Sequence, residues 1–70
     1  MDITEEEAVE KARQIMADAG YGNEAIECIV GWDECVYTLL HDPDAAKRYL
    51  ENSAGNDYAA ALHLKMYLTD

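Results

Sequence analysis

The chain has 70 residues and carries fifteen acidic against five basic side chains, a formal net charge of −10. That length allows one hydrophobic core and excludes a second domain, so residues 1–70 read as a single domain. The charge argues against direct nucleic-acid or anionic-membrane binding, and no stretch approaches the roughly 18 uninterrupted apolar residues of a membrane span.

The opening segment MDITEEEAVE is acidic, which fits neither a secretory signal nor a transit peptide, so a soluble protein of the cytoplasm is expected. Within it lies a helix start. Thr4 is a good N-cap, Glu7 three residues on completes a capping box, and Ile3 with Ala8 can form a hydrophobic staple. Ala8, Ala12, Ile15, Met16 and Ala19 recur at helical spacing, and Gly20 offers a stop, which predicts a helix over 4–19. Residues 20–22, GYG, form a tight connection.

The next segment admits three readings. As one helix from Asn23, residues Glu24, Glu27, Gly31, Glu34, Thr38 and His41 fall on a narrow polar stripe. Asp33 then lies on the opposite, apolar side, where an unpartnered carboxylate costs several kcal/mol or shifts its pKa upward. Ending one helix at Gly31 removes that conflict, with Gly31 as the C′ residue and Asp33 as the N-cap of the next helix. A β-hairpin at about 26–40, built on ECIV and ECVYTL around GWD, is the third reading and would make the fold α+β.

Further on, Asp42-Pro43 has the pattern of an N-cap followed by proline at the first helical position, for a helix to about Ser53. Gly55 stops it, and Asn56 caps a last helix through Tyr58, Leu62, Leu64, Met66, Tyr67 and Leu68. All loops are short, so the expected architecture is an all-α compact bundle of four or five short helices.

Chemistry-bearing motifs are sparse. Cys28, Cys35, His41 and His63 have no zinc-ligand spacing, and the acidic segments lack the calcium-loop pattern, so neither a metal nor another cofactor is expected. On one continuous helix the two cysteines would be about 10.5 Å apart along the axis, beyond the roughly 7 Å that a disulfide allows. Reduced structural thiols are expected. The only serine is Ser53, in a turn, and no phosphate-binding glycine loop is present, so catalysis is not expected.

Two resemblances carry functional implications. The order helix, Gly20-Tyr21 turn, short helix and WDECVYTLL resembles the ubiquitin-associated (UBA) three-helix fold over about residues 5–41. It departs from that pattern in lacking a methionine before the glycine and in being one residue short before Ala25. This resemblance implies a helical adaptor using the Gly20-Tyr21 loop and the Leu39-Leu40 end.

The acidity itself is one-sided. Residues 1–34 hold ten acids and two bases, a net of −8, whereas residues 35–70 hold five acids and three bases, a net of −2. In length, charge, one-sided acidity and absence of a catalytic motif the chain resembles small acidic phage-encoded inhibitors, including anti-CRISPR proteins and other DNA mimics. That resemblance implies a non-enzymatic inhibitor acting in the host cytoplasm, whose partner is a basic nucleic-acid-binding protein or complex. Glu24, Glu27 and Glu34 on one stripe, with Glu6 and Glu10 one turn apart, are the candidate phosphate surrogates. Tyr21 and Trp32 flank the acidic half and are expected to be exposed aromatic contacts. The protein-binding candidates are therefore Glu6, Glu10, Tyr21, Glu24, Glu27, Trp32 and Glu34.

Overall fold

A computed structural model describes residues 3–69, except for the side chain of Thr69. Five helices follow one another: α1 (Glu5–Ala19), α2 (Asn23–Val30), α3 (Asp33–His41), α4 (Asp44–Asn52) and α5 (Asp57–Thr69). No strand occurs among the described residues, so the all-α bundle is the fold and the hairpin at 26–40 is not formed.

α1 begins and ends as its residues dictate. The Glu7 amide donates to Thr4 Oγ1 and the Thr4 amide donates to Glu7 Oε1, both at 3.1 Å, closing the capping box. At the other end Gly20 takes φ 111°. Its amide donates to the Ala17 carbonyl, and the Tyr21 amide donates to the Met16 carbonyl at 3.0 Å. Those two bonds satisfy carbonyls that the helix end would otherwise leave open, and they turn Tyr21 back toward the core.

Between α2 and α3 the chain breaks, with α2 ending at Gly31 as expected but Trp32 rather than Asp33 standing at the cap of α3. Gly31 stays right-handed (φ −72°, ψ −7°), and Trp32 supplies the extended residue (φ −119°, ψ 114°) that redirects the backbone. Asp33 is consequently the first residue of α3 rather than its cap, and its side chain makes no capping bond. It is exposed, so no carboxylate is buried here. A charge in the first turn still complements the positive end of the helix dipole.

A similar shift occurs before α4. Pro43 (φ −64°) is the cap residue and makes no side-chain bond. The Asp42 side chain, expected as the cap, instead accepts from Arg48 Nη2 at 3.2 Å, while its carbonyl accepts from the Ala45 amide. Asn56 caps α5 as expected, with Oδ1 accepting from the Ala59 amide at 3.1 Å.

The core is continuous through the bundle. Ala8, Ala12 and Met16 of α1 join Ile29 of α2, Leu39 of α3 and Leu64 of α5 in it. Alanines on α1, α4 and α5 let helix axes approach closely, which a chain this short needs in order to exclude water. No charged side chain is buried among the described residues, and no buried side-chain polar atom lacks a partner. α1 and α5 each pack on α2, α3 and α4.

Candidate functional site

The break between α2 and α3 reshapes the acidic surface. Glu24 and Glu27 lie on α2 and Glu34 lies on α3, so the single stripe expected on one helix is divided between two. The same break brings a different carboxylate into play. Glu5, Glu6 and Glu10 of α1 line an open surface depression of about 500 Å³ with Val9, Arg13 and Asp33. Asp33 reaches α1 because Trp32, in extended conformation, sets the direction of α3.

Arg13 ties α1 to α2 across this surface. Its Nη1 lies 2.9 Å from Glu27 Oε2, and its Nε lies 3.8 Å from Glu10 Oε1. The hydrogen bond from Arg13 to Glu27 holds the guanidinium above its ordinary pKa. The depression thus holds four carboxylates, Glu5, Glu6, Glu10 and Asp33, and one base, Arg13, which engages Glu10 within it and Glu27 at its side. Lys11, the other base of the N-terminal half, lines a different depression with Ile3, Ile15, Tyr37, Leu40 and His41.

Of the expected site residues, Glu6, Glu10 and Glu27 share this surface, Glu24 lies one turn before Glu27, and Glu34 follows Asp33. All five are exposed. Trp32 is exposed as expected, with Lys65 Nζ 4.3 Å from its ring centroid in a cation–π arrangement.

Tyr21 is a correction. It is 5 % exposed, and its hydroxyl donates to the Ala46 carbonyl oxygen at 2.7 Å. Burial, aided by the nearby Asp57 charge, raises its pKa to about 12. The reversal of chain direction after Gly20 points the ring inward, and α4 supplies an acceptor for the hydroxyl, so the aromatic belongs to the core. It cannot present a ring to a partner.

The thiols are free. Cys35 is buried, and that burial raises its pKa, while Cys28 is half-buried. Among the described residues no group of three or more His, Cys, Asp or Glu side chains has the arrangement to hold a metal ion, and no helix is long and apolar enough to cross a membrane.

Comparison with protein-family models, with curated proteins and with solved structures gives no match. The surface chemistry therefore carries the functional argument.

Proposed function

We propose that this protein is a non-enzymatic inhibitor that occupies the basic surface of a nucleic-acid-binding protein or complex, in the manner of a DNA mimic. The observation that carries the reading is that Glu5, Glu6 and Glu10 of α1 line one surface depression with Asp33 of α3, where Arg13 is the single base. Carboxylates drawn from two helices make a two-dimensional array, which fits a nucleic-acid groove better than one helical stripe does. Successive acids on one helix are about 4.5 to 6 Å apart along its axis, whereas phosphates recur about every 3.4 Å of axial rise per strand. A second helix alongside the first fills part of that difference. Glu24, Glu27 and Glu34 extend the array, and Trp32 at its edge offers an aromatic anchor of the type enriched in interface hot spots.

The helical-adaptor alternative draws less support from this geometry. Tyr21 and Leu39, two of the side chains that the UBA resemblance would use, are both buried.

Charge reversal tests the proposal. Arg13 engages Glu10 and Glu27, so reversing either would also disturb an ion pair. Glu6→Lys combined with Glu24→Lys leaves both pairs in place. Affinity for the captured target should fall by at least about tenfold, mainly through slower association, with helicity unchanged. Undiminished binding by the double variant would refute the reading at this face.

A further inference from the structure

The depression that holds Lys11 has a volume of about 480 Å³ and is lined by Ile3, Lys11, Ile15, Tyr37, Leu40 and His41. Helical spacing groups these residues: Lys11 and Ile15 are four apart on α1, and Leu40 and His41 follow Tyr37 by three and four on α3. Ile3, Ile15 and Leu40 are half-buried and pack on the core, so they make an apolar floor. Tyr37, 42 % exposed, adds an aromatic ring. The volume falls within the range of about 300–1,000 Å³ that small-molecule sites occupy.

The charge of this lining is the reverse of the chain's. It holds an ammonium and an imidazole and no carboxylate, in a chain of −10. The other bases are placed differently. Arg13 engages Glu10 and Glu27, Arg48 engages Asp42, Lys47 lines a depression with Asp18 and Asp44, and Lys65 stands over Trp32. Glu7, one turn before Lys11 on α1, stays within range of the Lys11 charge, but its Oε1 accepts from the Thr4 amide. We infer that this depression binds a free amphiphilic carboxylate. An apolar tail of about six to ten carbons would lie on the floor, with the anionic head between Lys11 of α1 and His41 of α3.

Charge complementarity selects this occupant. An uncharged apolar ligand would partly desolvate the Lys11 ammonium without a counter-charge, and a cation would be repelled by it. A carboxylate accepts from both the ammonium and an imidazole N–H. A second copy of the chain, or an anionic bilayer, would bring many negative charges against −10. A single carboxylate seated at Lys11 is within the Debye length of about 8 Å of that ammonium, whereas salt screens the more distant acids. The depression shares no lining residue with the acid array, so the inference goes beyond the inhibitor reading and stands without it.

Amide NMR of the intact, isotope-labelled chain titrated with octanoate, below its micelle-forming concentration, tests the site. Amides of Lys11, Ile15, Leu40 and His41 should shift saturably, with a Kd of about 0.2–5 mM. Hexanoate, two methylenes shorter, should bind about four- to fifteenfold more weakly. Octanol and octyltrimethylammonium should bind at least about fivefold more weakly than octanoate. Lys11→Glu should weaken octanoate at least about fivefold while Lys11→Arg retains it, with helicity unchanged because Lys11 is exposed. Tyr37→Ala should weaken octanoate and octanol alike. Equal binding of octanol, indifference to Lys11→Glu, or shifts centred on the exposed Tyr58, Leu62 and Met66 of α5 would each overturn the inference. So would shifts at the depression that grow with protein concentration alone, which would assign it to a second copy, or binding confined to anionic phospholipid vesicles.

Discussion

The Tyr21 hydroxyl donates to the Ala46 carbonyl oxygen across 25 residues of sequence, at 2.7 Å. This bond joins the α1–α2 turn to the first turn of α4 and closes the bundle at that end. Tyr21→Phe keeps the ring and removes the donor, leaving a carbonyl short of its partner. Urea unfolding should show a loss of about 1–3 kcal/mol. The raised pKa adds a pH signature. A proton held more tightly in the fold than in the unfolded chain contributes stability that is complete below pH 10 and lost as pH rises through about 12. Alkaline unfolding in that window should lose its Tyr21 component in the Phe variant, as read by circular dichroism against pH.

A second link ties the same turn to α5. Asp57 Oδ2 accepts from the Gly22 amide at 2.7 Å, and a Cβ placed at Gly22 would stand 2.9 Å from that oxygen. Gly22→Ala must therefore displace the carboxylate, and Asp57→Ala removes it. Each substitution should destabilise by about 1 kcal/mol. Because both act on one contact, the pair should be non-additive: Gly22→Ala should cost less in the Asp57→Ala background. A double-mutant cycle by chemical denaturation measures this.

The N-terminal cap is the most local of these features. Hydrogen bonds from the Thr4 backbone and side chain are the main causes that hold the exposed Glu7 carboxyl below its ordinary 4.5. A depressed carboxyl pKa gives stability that is present above the unfolded value and lost as pH falls through the folded one. Thr4→Ala should cost about 1 kcal/mol at neutral pH. In that variant the Glu7 titration midpoint, followed by carboxyl-carbon NMR, should move back toward 4.5.

Thiol reactivity separates the two cysteines. Cys35 is buried with its pKa raised by that burial, whereas Cys28 is half-buried. The thiolate is the reactive species, so a disulfide reagent at pH 8 should modify Cys28 first. Cys35 should react only as the fold opens. Cys28→Ala should abolish the early phase, and Cys35→Ala should abolish the late one.

What the sequence revealed depended on how far apart the interacting groups are. Thr4 with Glu7, Gly20, and Asn56 with Ala59 are contacts within one turn, and each formed as read. The α2–α3 break was signalled by the conflict around Asp33, and α2 ends at Gly31 as read, but Trp32 rather than Asp33 is the cap of α3. Gly31 can adopt either hand, so its presence did not fix which residue leaves the helix. Tyr21 was misplaced because its depth depends on Ala46, which no local pattern couples to it. Asp33 was missed as a member of the acid array because its approach to Glu6 and Glu10 exists only once α3 packs on α1. α5 was legible as a helix but not in its orientation, since apolar residues on every side leave no periodicity to read.

Under the proposed function the acid array competes with nucleic acid for one site on the target. The most direct measurement is retention of a captured nucleic-acid-binding complex on the immobilised chain, at low and high salt, with and without competing duplex DNA. Displacement by both salt and duplex is the result this account predicts, since screening weakens an acid-to-base contact and a true mimic shares its site with DNA. A complex that stays bound in the presence of both would contradict it, and would move the binding surface away from Glu6, Glu10 and Asp33.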